Sequence, residues 1–294
     1  MSDSANWPLH PTAAIERGQW VIREIGSWAT LAGVLPPRFE SFVRIFHPAS
    51  GQDLRWHGEE VHGENEHVVR WVEAAEREGA VMHPLAQWGA LIDGYRQPKF
   101  GEDGWQYGEP GWGQMDLREL AAVAGVLARH TTTPGDCLAT LWEGHGEING
   151  SAVILTITDG DRFAEPLESH PAAHPAMAQA LANPRLQIPQ RDSLLFQLDI
   201  RVLTDPGWAQ SAGWADRIGN GSLTPQMLWP ERREWFLASE IDFNSTVVGG
   251  SPTLIAELLE LGATGAIEIM ELPDEADLTS GGDIVNQRAN GSLR

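Results

Sequence analysis

The residues whose types and spacing could carry out chemistry are concentrated in the segment from Trp229 to Pro252. Within it, Glu240 and Asp242 stand two residues apart, near the end of a run that alternates in the manner of a strand. Side chains two residues apart on a strand share a face and lie within ~7 Å of each other. Two carboxylates held that close could bind a divalent cation, or divide the roles of general acid and general base, because like charges push their pKa values apart. Glu240 and Asp242 are therefore the candidate catalytic residues.

A structural role is the more common reason for such a pair. Both carboxylates could lie at the end of the strand and bond to Arg232, to Arg233 or to backbone amides. In the catalytic interpretation, these two arginines and Trp229 are instead candidate binding residues beside the acidic pair. The sequence leaves both interpretations open.

Residues 39–47 also alternate apolar and polar side chains, which predicts a strand. Arg44 shares one face of this strand with Phe42, whereas His47 belongs to the opposite face. An arginine on a half-buried strand usually needs a carboxylate partner, and the acidic pair could supply one. Arg44 and His47 are therefore further candidate binding residues.

Gly249, Gly250 and Ser251 lead into a helix whose first residue is Pro252. Free amides and the helix dipole at such an N-terminus can bind an anion. The Lys-Ser/Thr pair of a phosphate-binding loop is missing here. A plain turn with Ser251 as the cap explains the same residues equally well.

Other motifs are weaker. In EGHGEING the third glycine comes one residue too late for a dinucleotide fingerprint, and a strand-like run follows. His57, His62 and His67 lie among glutamates, but no pair has the spacing of a helical zinc site. No Gly-x-Ser-x-Gly sequence is present. These patterns assign no metal and no cofactor.

The composition limits the partners. The chain has 294 residues, a formal net charge of −21, 13 tryptophans and one cysteine, Cys137. A surface this acidic repels phosphate backbones and anionic lipid head groups, so we expect neither nucleic acid nor a membrane as a partner. A basic protein or a small cationic ligand fits better, although solubility alone could explain the charge. The N-terminal residues lack a signal-peptide pattern, and we expect a cytoplasmic protein.

The periodicities predict an α+β fold with a mostly antiparallel or mixed sheet flanked by helices. Helical spacing predicts helices at residues 12–34, 65–78, 116–129 and 252–261, the last followed by Gly262, and a short one near residue 177. Strand-like runs are 39–47, 137–142, 152–157, 194–203, 235–241, 245–248 and 266–272. The runs 137–142 and 152–157 are expected to form a hairpin. Asp116 and Glu119 fit a capping box.

A soft boundary divides the chain. Residues 1–135 are helix-rich and residues 136–273 are strand-rich, and we expect the two halves to pack as one globular unit. Residues 274–294 are acidic and then rich in Gly, Ser and Asn, which is typical of a flexible tail.

Three segments resemble a family of actinobacterial hypothetical proteins of unknown function. They are LPPRFESFVRIFHPA (35–49), LARHTTTPGDCLATLWEG (127–144) and WPERREWFLASEIDFNSTVVGGSP (229–252), which together cover roughly a fifth of the chain. The resemblance implies no activity, cofactor or substrate.

Three functions therefore stay open. A non-catalytic protein-binding module of the inhibitor, immunity or adaptor type is favoured, because no strong catalytic signature occurs and tryptophan is suited to anchor interfaces. The first alternative is a hydrolase or metal-dependent enzyme that uses the acidic pair. The second is a small-molecule or carbohydrate binder with a tryptophan-lined cleft. The loop tryptophans that could line such a cleft are Trp105, Trp112, Trp208 and Trp214.

Overall fold

A computed structural model describes residues 7–27, 30–53, 66–92, 105–149, 153–154, 167–168, 174–189, 191–212 and 223–289. The strands of the described residues are β1 (His10–Pro11), β2 (Ser41–Phe46), β3 (Ala49–Asp53), β4 (Glu66–Val69), β5 (Trp105–Tyr107), β6 (Cys137–Trp142), β7 (Val153–Ile154), β8 (Leu167–Glu168), β9 (Leu186–Ile188), β10 (Arg191–Leu198), β11 (Met227–Pro230), β12 (Phe236–Ala238), β13 (Ser245–Gly250) and β14 (Glu268–Leu272). The α-helices are α1 (Gln19–Glu24), α2 (Leu31–Val34), α3 (Trp71–Glu78), α4 (Trp88–Leu91), α5 (Leu117–Arg129), α6 (Gly146–Asn149), α7 (Pro175–Ala182), α8 (Pro252–Ala263) and α9 (Ile284–Ala289).

The chain forms two compact units, and each combines distant segments of the sequence. The first unit contains Met1–Glu24 and Leu120–Glu234, and the second contains Ile25–Glu119 and Trp235–Arg294. This division differs from the boundary expected near residue 135. Its physical reason is strand pairing, because β1 pairs with β10 whereas β2 pairs with β13 and β14. The α+β class is confirmed, and the pairings of β10 with β1, β6 and β9, of β2 with β13 and β14, and of β3 with β4 and β5 are antiparallel.

In the first unit, β6 lies between β10 and β11, while β1 and β9 also pair with β10. The hairpin expected between β6 and the run at 152–157 is wrong, since β7 pairs with β8 instead. Both edges of β6 are already paired, one with β10 and the other with β11, so neither edge is left for β7.

In the second unit, the strand order is β12-β13-β2-β14, and a smaller sheet has the order β4-β3-β5. The helix α8 packs against β14, β2 and β13. An aromatic core lies beside β2 and includes Phe46, Trp71, Trp88 and Tyr107. This core and β2 together position the polar residues described below.

Helix boundaries were predicted unevenly. The helices α5 and α8 lie where expected, and Ser251 caps α8 by accepting from the Leu254 amide at 3.3 Å. The helix expected at 12–34 is instead divided into a 3₁₀ turn, α1 and α2, and the Gly26 amide donates to the Ala32 carbonyl between them. The helix expected at 65–78 begins as β4, because Arg70 has an extended conformation and adjacent valines favour a strand.

The segment expected to be a flexible tail differs from that prediction over its described part. It contains α9, and the side chains of Leu278, Asp283 and Asn286 are buried. Asp283 and Asn286 hydrogen-bond to the chain between Val81 and Gln87, which holds this segment in place. Among the described residues, no helix is long and apolar enough to cross a membrane.

Candidate functional site

The strand β2 places Arg44 and His47 on opposite faces, as the alternation predicts. Arg44 is 1 % exposed. Its Nε donates to Ser245 Oγ at 2.8 Å, and its Nη1 donates to the carbonyl oxygens of Ala86 at 2.9 Å and Pro84 at 3.1 Å. The guanidinium is thus hydrogen-bonded to a neighbouring strand and to the loop before α4.

Aromatic rings and one distant carboxylate complete the surroundings of Arg44. Its guanidinium carbon lies 4.6 Å from the ring centre of Phe46 and 5.6 Å from that of Trp71. Burial lowers the pKa of Arg44 to about 9, and the negative charge of Asp283 opposes this shift. The carboxylate that influences Arg44 is therefore Asp283, which lies in the expected tail, whereas the sequence suggested Glu240 or Asp242.

Asp283 is enclosed and accepts hydrogen bonds from three residues. The donors are His83 Nε2 at 2.8 Å, the Gln87 amide at 2.8 Å, and Asn286 through its amide and Nδ2, each at 3.1 Å from Oδ1. Burial favours the neutral acid, but these hydrogen bonds hold the pKa of Asp283 below its usual value. Asp283 therefore stays ionised and fixes both α9 and the loop before α4.

On the other face, His47 takes part in a directed chain of hydrogen bonds. Nδ1 lies 2.7 Å from the Gly111 carbonyl, and Nε2 lies 2.8 Å from Thr246 Oγ1. Thr246 Oγ1 is in turn 2.5 Å from Ser239 Oγ. Because a carbonyl only accepts, Nδ1 carries the proton, Nε2 accepts from Thr246, and Thr246 accepts from Ser239.

This chain is enclosed, which limits what it can do. His47, Thr246 and Ser239 are each at most 1 % exposed. Burial lowers the pKa of His47 to about 4, although the bond to Gly111 opposes the shift. A hydroxyl beside so weak a base, with no exposed surface, is poorly placed to attack a substrate. The arrangement instead joins β2, β13 and the end of β12.

Glu240 and Asp242 lie beyond the strand that was expected to carry them. The strand β12 ends at Ala238, and the Phe243 amide donates to the Glu240 carbonyl at 2.9 Å in a turn. Asp and Asn residues favour such turns, which explains why the alternation stops here. Asp242 is exposed and Glu240 is half-buried. The strand from which the catalytic pair was inferred therefore ends before these two residues.

Three further candidate binding residues of the segment, Trp229, Arg232 and Arg233, belong to the first unit. Trp229 is buried, and its ring meets that of Trp20 edge-on, with centroids 6.2 Å apart. Arg233 lies 5.0 Å from the Trp20 ring centre, and its φ of 61° marks the tight turn after β11. Arg232 is exposed. The segment is thus divided between the two units.

Gly249 and Gly250 lie within β13 and pack closely, so they do not form a loop. A Cβ at Gly249 would lie 2.8 Å from Phe39 Cδ2, and one at Gly250 would lie 2.5 Å from Leu254 Cδ2. Close packing explains both glycines. Ser251, the third member of the expected anion site, acts as the cap of α8.

The tryptophans of the expected cleft have different surroundings. Trp208 is buried in the first unit, whereas Trp112 of the second unit is exposed and donates to Glu109 Oε2 at 2.9 Å. The Arg77 guanidinium lies 4.0 Å from the Trp105 ring centre. Trp214 lies outside the described residues, as do His57 and His62. In the part of the chain that the structure describes, no cluster of three or more His, Cys, Asp or Glu could hold a metal ion.

Sequence reasoning missed Asp283, Asn286 and Ser239. A readable signal existed for Asp283, because Asp directly before an apolar pair is a typical helix N-cap, and the Asn286 amide does donate to Asp283. Ser239 and Thr246 carried no such signal. Their meeting depends on the pairing of β12 with β13.

The structure defines an α+β protein in which buried polar groups link strands and loops. We call these groups, Arg44 with Asp283 and His47 with Thr246 and Ser239, the polar centre. No protein-family model, no curated protein and no solved structure matches the chain. The resemblance to actinobacterial hypothetical proteins therefore stays an expectation.

Proposed function

We propose that the protein is a non-catalytic binding module, acting in the cytoplasm, whose second unit docks a basic protein. The observation that carries the proposal is the distribution of exposed apolar side chains. All six large apolar side chains exposed among the described residues belong to the second unit. They are Val68, Val72, Val81, Trp112, Ile284 and Val285. Clustered apolar side chains on an otherwise polar surface often mark an interaction site.

Three of these side chains form what we call the docking face: Val81, Ile284 and Val285, which are 52 %, 46 % and 48 % exposed. Asn286 brings them together. Its Oδ1 accepts from the Val81 amide at 2.9 Å, and its Nδ2 donates to the Val81 carbonyl at 3.0 Å. The start of α9 is thereby fixed beside Val81, so the apolar side chains are held in place before a partner arrives.

Charge indicates the kind of partner. The segment before α9 exposes Glu271, Asp274, Glu275 and Asp277, while α9 itself carries one exposed arginine, Arg288. The whole chain has a net charge of −21. A second copy of the chain would be repelled, whereas a basic partner would be attracted over long range. We therefore favour a basic protein with apolar anchors over self-association.

Enclosure of the polar centre argues for binding over catalysis. Arg44, His47 and Ser239 are each about 1 % exposed, so a substrate could not reach them without opening the unit. The docking face, in contrast, is already at the surface.

The test uses a displayed library of cationic peptides that contain apolar positions, selected on the wild-type protein. Binders are expected to weaken as salt is raised. Each of Ile284→Ser and Val285→Ser is expected to weaken binding by about tenfold or more, because burying one such side chain contributes about 1.5–3 kcal/mol. Val68→Ser changes another exposed valine of the same unit and serves as the matched control.

Equal binding by all three variants would contradict the proposal, and so would a library that yields no salt-sensitive binder. Thermal melting of each variant verifies that it is folded before its affinity is compared.

A further inference from the structure

A second feature of the second unit is an enclosed carboxylate, Glu119, in the first turn of α5. Its side chain is 6 % exposed. Oε1 accepts a hydrogen bond from Arg70 Nη1, whereas Oε2 is buried and has no hydrogen-bond partner among the described residues. The expected capping box would have turned this side chain back toward Asp116. Only half of that motif forms, with Asp116 Oδ1 accepting from the Arg118 amide at 2.8 Å and the Glu119 amide at 3.3 Å.

The charges around Glu119 are mostly negative. Asp116 on its own helix and Glu268 on β14 both repel its ionised form, and Glu73 of α3 acts on Glu268 in the same way. Arg70, which precedes α3, is the cation of the cluster, and its Nη2 also donates to the Ala266 carbonyl. One guanidinium is thus shared by several negative groups.

Both carboxylate oxygens of Glu268 already accept hydrogen bonds, in contrast to those of Glu119. The Glu268 oxygens accept from the Trp71 amide at 2.7 Å and the Val72 amide at 2.8 Å, which caps the start of α3. Burial raises the pKa of Glu268 as well, but these two amide bonds oppose the shift and leave neither oxygen without a donor. Of the two glutamates, Glu119 is therefore the one with a carboxylate oxygen that can still accept a ligand.

The ligand that fits is a proton. An oxygen with no exposed surface cannot be reached by a molecule or a hydrated ion unless the unit opens. No set of three metal-binding side chains surrounds it in the described ranges. Burying an ionised carboxylate oxygen without a partner costs more than burying a neutral acid. A single proton removes the charge and needs no cavity.

We infer that Glu119 is a proton-binding site and that proton uptake there weakens the bond by which Arg70 ties the start of α5 to the junction of β4 and α3. Neutral Glu119 keeps a hydrogen-bond acceptor for Arg70 but loses the charge assistance. The guanidinium then becomes available to Glu268. Burial raises the pKa of Glu119, although the bond from Arg70 lowers it, and this agrees with the geometry. The inference does not rest on the docking face.

The test follows the carbonyl stretch of protonated carboxylic acids by infrared difference spectroscopy across a pH titration. The wild-type protein is expected to keep a protonated-acid band at pH values above the ordinary range of glutamate. Glu119→Gln, a neutral isostere, is expected to remove most of this band, while Glu76→Gln, at an exposed glutamate of α3, leaves it unchanged.

A second readout is amide hydrogen exchange at the start of α3. As the pH falls through the titration of this band, exchange is expected to rise in the wild type but not in the Glu119→Gln variant. An undiminished band in Glu119→Gln, or no such band in the wild type, would overturn the inference. If the variant does not fold, ¹³C NMR of the wild-type glutamate carboxyls decides, because titration of them all in the ordinary range is the same negative result.

Discussion

Lowering the pH should destabilise the second unit through His47. Burial lowers the pKa of this imidazole from 6.5 to about 4. Between these two values the unfolded chain binds a proton that the folded chain refuses, so the free energy of unfolding falls as the pH falls through this window. The contribution is complete above pH 6.5. The difference of about 2.5 pKa units corresponds to ~3.4 kcal/mol in total and to ~2 kcal/mol already lost at pH 5.

The physical reason is the direction of the hydrogen bonds. Protonation puts a hydrogen on Nε2, where the Thr246 hydroxyl now donates, and it places a charge in a buried site that also feels the positive charge of Arg44. Thr246 would have to turn away, which also disturbs its bond to Ser239. The loss therefore belongs to the whole chain of hydrogen bonds.

The assay is urea unfolding at pH 7 and pH 5, followed by pulsed hydrogen exchange of β2 and β13, because these strands report on the unit that contains His47. The wild type should lose ~2 kcal/mol more between the two pH values than His47→Gln, which has no imidazole to titrate. His10→Gln, at an exposed histidine of the first unit, is the control and should behave as the wild type. Equal losses in wild type and His47→Gln would refute the reasoning.

Two further predictions concern packing. Gly250→Ala should lower the free energy of unfolding in urea by about 1–3 kcal/mol, because its Cβ would lie 2.5 Å from Leu254 Cδ2. Gly125→Ala, at a position of α5 whose Cβ would have nothing within 4 Å, should instead raise it by about 0.5–1 kcal/mol. A change of the same sign in both variants would contradict the packing argument. The thiol of Cys137 should resist iodoacetamide at pH 7 in the native protein and react after denaturation, since burial raises its pKa to about 12; rapid native labelling would show that the site is open.

Much of the local structure could be predicted because it depends on short-range rules. The two-residue period of β2 places Arg44 and His47 on opposite faces, whatever lies beside the strand. The start of α8 follows from Ser251 and Pro252, which form a capping residue and a favoured first helical residue. The helix end was less accurate, since Gly262 lies inside α8 and the glycine with positive φ is Gly265.

The partners of the polar side chains could not be predicted, because strand order determines them. β2 lies between β13 and β14, so the neighbours of Arg44 in the sheet, Val247 and Met270, come from more than 200 positions away. Glu240 and Asp242 are of the residue type that usually pairs with a buried arginine. However, β12 ends at Ala238, and both residues lie in the turn beyond it. Residue type and spacing alone carry no information on where a strand stops.

Glu119 shows how a correct local motif can have a different tertiary use. Asp116 caps α5 as the sequence indicates, yet Glu119 bonds to Arg70 instead of closing the capping box. In the bond to Arg70 both partners can carry a charge, whereas the reciprocal bond of a capping box has a neutral amide donor, so the tertiary partner prevails. The cost is an enclosed oxygen without a partner, and natural proteins tolerate such a group mainly where it serves a purpose. A departure of this kind from a local rule is therefore a better indicator of a functional group than residue type alone.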